Sequence, residues 1–201
     1  YLEGKGEKPC AEARVFDSGS LKWYELKDGW PMENNGTPFY LADSKVVKSL
    51  ADIKGAEALK PATYVSDPAR PVPFTMKPTD FRDKTYMVED QRFAATRPDV
   101  LVYQSEVLTD TVQLLGYIVA DLDVAITTTD ADFIVKVIDV FPDGFQYNRN
   151  LYYHSNQQPY IMSGYQMLVR GNVMRGKYRN SVSKPEPFTP NERTKVKFAL
   201  N

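Results

Sequence analysis

The sequence has few of the residues that zinc sites and catalytic serine triads require. It has 201 residues but one cysteine, Cys10, and one histidine, His154. A single thiol excludes an internal disulfide, and a structural zinc site would need several cysteine or histidine ligands. A serine triad needs a histidine that neighbouring groups position as the base, yet no acid flanks His154 in the run LYYHSNQQ. We interpret His154 as a surface or aromatic-packed residue and Cys10 as an inert thiol.

Long apolar runs, excess charge and a nucleophile motif are also missing. No apolar run approaches the ~18 residues of a membrane span, so no membrane partner is expected. The net charge of -1 gives no general attraction to nucleic acid. There is no Gly-x-Ser-x-Gly elbow, because Leu21 and Lys22 follow Gly19 and Ser20. We therefore assign no catalytic residue, no cofactor-binding residue and no metal ligand, and we expect no cofactor.

Aromatic residues and prolines are abundant instead. The chain has 13 Tyr, 10 Phe and 14 Pro, a composition that favours strands and turns over helices. The clearest alternation, over residues 113–126, predicts a strand with one buried face and a bend at Gly116. The other predicted elements are a hairpin over 12–26, strands over 39–42, 99–106, 133–141 and 193–201, a strand entering a loop over 83–93, and one weak helix-compatible patch over 45–53. A further strand over 165–178 is predicted to be interrupted by Gly171 and Gly176.

The proline-rich stretch over residues 61–78 cannot be a central strand and is predicted to be an extended surface loop. Tyr64 and Phe74 are its expected anchors. With no internal repeat and no alternation of strands and helices, the pattern predicts an all-β fold. The architecture that this pattern favours is a jelly-roll β-sandwich that forms a single domain over residues 1–201.

Acids border the predicted strand in DADFIVKVIDVFPDG. Clustered carboxylates in turns suit calcium, and whether the turn at Asp130 and Asp132 binds calcium stays open. Acids at strand ends are more often structural, and we favour that interpretation here. Arg175, Lys177 and Arg179 are predicted to share one strand face. In a chain without net positive charge, we expect this face to be solvated or paired with acids rather than to bind nucleic acid.

Several ordered runs together resemble one family: SLKWYELKDGWP, YVSDPARPVPF, YMVEDQRF, RPDVLVYQSE, TDADFIVKVIDVFPDG, GYQMLVRGNVMRGKYRNS and KPEPFTP. They are similar to the non-catalytic β domain of the α-amino-acid ester hydrolases, a domain type also found in cocaine esterases, cephalosporin acylases and X-Pro dipeptidyl-peptidases. The resemblance implies a galactose-binding-like jelly roll attached to an α/β-hydrolase domain of the same parent chain, whose Ser, Asp and His perform the hydrolysis. It also implies a domain that is incomplete at its C-terminal end, and a periplasmic or secreted location.

Two functions follow from these observations. The first is an accessory C-terminal domain of a serine ester or amide hydrolase, which packs on the catalytic domain and shapes the entrance of its active site. On this account the chain alone is not an enzyme, and its uncovered surface could also produce a homo-oligomer. The alternative is a carbohydrate-binding jelly-roll module. The first predicts a large apolar face, whereas the second predicts exposed aromatics such as Trp23 or Trp30 in a shallow groove. The substrate of the parent enzyme is not indicated.

Overall fold

The computed structural model describes residues 4, 11–30, 36–47, 60–77, 79–81, 84–147 and 160–200. These residues form strands with almost no helix, so the predicted all-β fold class is confirmed. The strands are β1 (Ala13–Asp17), β2 (Lys22–Leu26), β3 (Tyr40–Ala42), β4 (Lys45–Val47), β5 (Ile118–Val124), β6 (Asp132–Val140), β7 (Gln146–Tyr147), β8 (Tyr160–Ile161), β9 (Gln166–Arg175) and β10 (Thr194–Leu200). Among the described residues, the helical segments are α1 (Arg92–Ala95) and two 3₁₀ turns, Tyr86–Val88 and Gly176–Tyr178. Cys10 and His154 lie outside the described residues.

The chain divides into two compact units. One comprises residues 1–37 and 109–118, and the other comprises residues 38–108 and 119–201. The single domain over residues 1–201 stays a prediction, as do the jelly-roll strand order and the galactose-binding-like relationship. Among the helical segments that the structure describes, none has the length and apolar character needed to cross a membrane.

The first unit contains the predicted hairpin, in which β1 and β2 pair antiparallel with Phe16 opposite Trp23. The turn forms because the carboxylate of Asp17 accepts hydrogen bonds from the Gly19 amide at 2.9 Å and from the Ser20 hydroxyl at 2.6 Å. Such a side-chain bond to nearby backbone is how aspartate starts a turn. Leu21, with φ of 57°, then leads the chain into β2.

The second unit is organised around two strand pairs, the antiparallel pair of β6 with β9 and the pair of β5 with β10. The core lies on one face of β10, where Val196, Phe198 and Leu200 are buried. Alternate residues of β10 point outward, as expected for a strand with one wet face. The side-chain amide of Asn172 in β9 donates to the Ala199 carbonyl at 2.8 Å, which ties the two strand pairs together.

Four predicted elements are corrected by the structure. The strand expected over 113–126 begins only at Ile118, because Gly116 has a φ of 90° that breaks the extended backbone. Residues 45–47 of the predicted helical patch form β4 instead, joined to β3 by a tight turn with positive φ at Asp43 and Ser44; residues 48–53 lie outside the described residues. The predicted strand over 99–106 makes only one isolated bridge, from Gln104 to Lys45.

The fourth correction concerns residues 83–93, predicted as a strand entering a loop. Their described part forms the 3₁₀ turn Tyr86–Val88 and the start of α1. The helical turn is favoured because the carboxylate of Asp90 accepts a hydrogen bond from the Arg92 amide at 3.1 Å and so takes up a donor that a helix start leaves unpaired.

Candidate functional site

The acids at the start of β6, Asp130 and Asp132, are paired with the basic run. The guanidinium of Arg175 lies 2.8 Å from Asp130 Oδ2 and 3.0 Å from Asp132 Oδ2, and Asp132 is the β-ladder partner of Arg175. Asp130 also accepts a hydrogen bond from the Lys177 amide at 3.1 Å. Desolvation alone would raise the pKa of Asp130, but the Lys177 amide and the Arg175 side chain outweigh it and hold the pKa below its usual value.

The basic run does not lie on one strand face, which corrects that prediction. β9 ends at Arg175, and the following 3₁₀ turn rotates Arg179 inward, where its side chain is 6% exposed. There the guanidinium lies 4.3 Å from the ring centroid of Phe188 and donates to the Glu186 carbonyl at 2.6 Å. The prediction that the acids and bases pair across strands is confirmed for Arg175 and Lys177.

The acids of β5 are held in the same way. Asp121 contacts the Lys195 amine at 2.7 Å, and Asp123 contacts the Arg193 guanidinium at 2.9 Å. Within the described part of the chain, no three histidine, cysteine, aspartate or glutamate side chains are arranged to hold a metal ion.

A more informative feature is a group of exposed apolar side chains on two neighbouring segments, which we call the docking face. Its members are Phe74 (62% exposed), Met76 (54%), Met87 (57%) and Val88 (66%). The rings of Phe74 and Tyr86 lie 5.6 Å apart, and the Met76 amide donates to Glu89 Oε2 at 3.0 Å. These contacts place the proline-rich segment beside the turn before α1, and the docking face comprises exposed apolar side chains from both segments.

Buried polar contacts attach the docking face to the sheet beneath it. Gln91, 1% exposed, accepts a hydrogen bond from the Lys136 amine of β6 at 2.7 Å, and its backbone amide donates to the Gln166 carbonyl of β9 at 3.0 Å. The same amine lies 5.4 Å from the ring centroid of Phe74 and 5.6 Å from that of Phe93. Burial lowers the pKa of Lys136, and the negative charge of Glu89 only partly opposes this.

Two further contacts fix the turn and the proline-rich segment. The hydroxyl of Tyr165 donates to the Val88 carbonyl, directly beneath the docking face. Arg97 forms a two-point pair with Asp99 and donates to the Arg70 carbonyl at 3.0 Å. A surface that exposes several large apolar side chains and is also rigidly attached is typical of an interaction site.

The first unit carries a second exposed aromatic group. Phe16 and Trp23 have ring centroids 5.3 Å apart, and Trp23 is 58% exposed. The Arg14 guanidinium lies 5.2 Å from the Trp23 ring centroid and 3.8 Å from Glu25. The two rings are inclined by 52° and do not form a flat platform.

Comparison with known proteins identifies the family. Residues 7–201 match the X-Pro dipeptidyl-peptidase C-terminal non-catalytic domain. The chain belongs to this family. Family membership confirms the resemblance found in the sequence and establishes a non-catalytic C-terminal domain of an esterase- or peptidase-type hydrolase. It also agrees with the lack of a nucleophile elbow.

Individual relatives agree with this placement. The chain is 38% identical over 141 residues to a cocaine esterase from Rhodococcus sp. (strain MB1 Bresler), covering 66% of this chain and 24% of the esterase. A selenomethionine-labelled α-amino acid ester hydrolase has 34% identity and a TM-score of 0.77, over 99% of this chain and 32% of that one. An aminopeptidase from a marine sediment Thaumarchaeota archaeon has 28% identity and a TM-score of 0.70, over 100% of this chain and 31% of that one. The chain thus spans only a quarter to a third of each relative.

The sequence pointed to part of the docking face and missed the rest. Phe74 and the proline-rich segment could be predicted, because prolines prevent ladder bonding and leave a large ring with no strand to occupy. The sequence did not predict that Met87 and Val88 belong to this surface, because the composition of YMV, residues 86–88, favours a strand. Lys136 was missed because a lysine inside an apolar strand gives no local sign of a buried partner such as Gln91.

Proposed function

We propose that this chain is the accessory C-terminal domain of a serine ester or amide hydrolase of the acylase, α-amino-acid ester hydrolase or X-Pro dipeptidyl-peptidase type. In this proposal the docking face packs on an α/β-hydrolase domain of the same parent chain and shapes the entrance of its active site. The observation that carries the proposal is the group of exposed apolar side chains in the docking face, whose two neighbouring segments are held to the sheet by Gln91 and Lys136.

The proposed occupant is the catalytic domain because the relatives contain two thirds or more of their length outside the matched region. Interfaces between permanently associated domains are rich in aromatic residues and methionine and poor in charge at their centre. The docking face has this composition, with one phenylalanine, two methionines and one valine. A second copy of the chain is the competing occupant, and it would give the homo-oligomer expected from the sequence.

Carbohydrate binding is the weaker alternative. A flat platform of neighbouring aromatic rings would need the rings of Phe16 and Trp23 to lie in one plane. The 52° inclination does not provide such a plane, and the Arg14 guanidinium already contacts the Trp23 ring. The geometry therefore supports an accessory role over a glycan platform.

Activity assays test the accessory role. We expect the 201-residue chain to hydrolyse neither p-nitrophenyl acetate nor an aminoacyl methyl ester above the buffer rate. A longer polypeptide that carries an α/β-hydrolase domain ahead of Tyr1 should hydrolyse at least one of them. Hydrolysis by the chain alone that a serine-directed inhibitor abolishes would contradict the proposal.

A further inference from the structure

Three segments that are distant in the sequence meet at the Lys136 amine. Lys136 belongs to β6, and Phe74 belongs to the proline-rich segment. Gln91 lies in the turn that leads into α1, and Phe93 lies in α1 itself. The amine donates to Gln91 and lies within 6 Å of both ring centroids. Ring faces attract cations at this range, so one ammonium holds both segments against the strand.

The strand beside β6 leaves room for this arrangement. Gly171 of β9 is the ladder partner of Lys136. A Cβ atom at Gly171 would lie 3.3 Å from Lys136 Cγ and 3.4 Å from the Val135 carbonyl oxygen. The absence of a side chain there lets the aliphatic stem of Lys136 lie across the sheet and deliver its amine beneath Phe74.

We propose that Lys136 is the positioning residue of the docking face. Its ammonium fixes the Phe74 ring and, through the neighbouring Met76–Glu89 hydrogen bond, the backbone of residues 74–76. The inference rests on the proposed function of that surface, and it identifies Lys136 as the residue that holds the surface in the conformation that binds the partner domain. Lys136 acts through other residues and touches no substrate.

The same contacts predict that Lys136 fixes the position of Phe74 and Met76 but contributes little to the stability of the whole fold. Taking an ammonium partly out of water is costly, and relief of this cost in Lys136→Met offsets the loss that arises when the buried Gln91 side-chain oxygen is left without its donor. Lys136→Met should therefore leave the fold intact while Phe74 and Met76 lose their fixed place. A residue that served only the core would instead weaken every strand together.

The test is amide hydrogen exchange measured by NMR on the 201-residue chain, together with contacts between Lys136 Hε and the Phe74 ring protons. In Lys136→Met we expect the Met76 amide to exchange about tenfold faster, on the scale of one desolvated cation–π contact. The Val196 amide in the buried strand should change less than about twofold. Lys136→Arg should restore slow exchange at Met76. Lys197→Met, which removes the same charge from an exposed position, should have no effect at Met76.

Gly171→Ala offers a second route, because its methyl group would press on the Lys136 stem and should accelerate Met76 exchange in the same direction. Unchanged exchange at Met76 in Lys136→Met would overturn the proposal. So would equal acceleration at Met76 and Val196, or a variant that cannot fold, since each shows a general structural role. The measurement uses no partner, so its failure would leave the docking proposal standing.

Discussion

Both carboxylate oxygens of Asp130 are bonded: Oδ1 accepts from the Lys177 amide, and Oδ2 pairs with Arg175. The sequence puts this acid at the end of a strand and is compatible with either a calcium site or a structural turn. Asp130 is structural because it is bonded to Arg175 and Lys177, which lie about 45 residues further along the chain. Arg175 ends the strand that pairs with β6, and Lys177 follows just after it. Strand pairing brings Asp130 and these two residues together, so no local sequence pattern could have predicted the contacts.

This pairing predicts a specific dependence of stability on pH. The folded pKa of Asp130 lies below its ordinary value of 3.8, so the ionised carboxylate stabilises the fold above that value. The contribution is lost as the pH falls from 3.8 through the lower, folded pKa. Urea unfolding of the native chain should therefore show a loss of stability in this range that is smaller in Asp130→Asn, because Asp121 and Asp123, whose pKa values are also lowered by paired cations, keep their own share of the loss.

Asp139→Asn is the matched control, because it removes an exposed carboxylate from the same strand pair. Its stability should follow the native profile as the solution is acidified. If Asp130→Asn loses as much stability on acidification as the native chain, the Asp130 pairing is not a source of the acid sensitivity.

A glycine gives a second example of a requirement that the local sequence does not reveal. Gly176 is predicted from the sequence to interrupt a strand, and it does follow the end of β9. Its stricter requirement is steric, since a Cβ there would lie 2.5 Å from Phe188 Cε2 and 3.0 Å from the Ala131 carbonyl oxygen. Both neighbours are remote in sequence, so only the fold reveals that no side chain fits.

Among the elements, β10, in which apolar and polar residues alternate, and β6, which is rich in β-branched residues, were predicted well. β10 has buried residues at Val196, Phe198 and Leu200 and exposed lysines at 195 and 197, and β6 falls within one residue of its predicted bounds. The prediction failed where alternation continued past a break in the backbone, as at Gly116. It also failed over 99–106, where β-branched composition suggested a strand but the described residues offer one bridge and no ladder.

The alternation in β10 predicts losses of stability of very different size for substitutions at neighbouring positions. Phe198 is 6% exposed, and Phe198→Ala should lower the free energy of unfolding by about 3–5 kcal/mol because it removes a large ring and leaves a cavity. Lys197 lies beside it in an exposed ion pair with Asp121 at 3.6 Å, and Lys197→Ala should cost less than about 1 kcal/mol. Chemical denaturation measures both, and equal losses would contradict the assigned faces of β10.

At the scale of the whole molecule, family membership and local physics contribute different information. Ordered runs along nearly the entire chain suffice to place it in the family, and the sequence's lack of a positioned base and of a nucleophile elbow agrees with a non-catalytic domain. Neither could locate the whole docking face. That surface depends on a proline-rich segment lying beside a helical turn, and on Lys136 and Gln91 joining them to the sheet beneath.

The central claim is that the docking face is covered by a catalytic domain, and its two exposed methionines are natural probes. Hydroxyl-radical footprinting with mass spectrometry would compare oxidation of Met76 and Met87 in the 201-residue chain and in the longer polypeptide that carries the catalytic domain. We predict oxidation of both to be slower by about fivefold or more in the longer polypeptide, with Met174 of β9 unchanged as the internal reference. Slow oxidation in the isolated chain that speeds up on dilution would indicate a second copy as the occupant. Equally fast oxidation of Met76 and Met87 in both proteins would contradict the account.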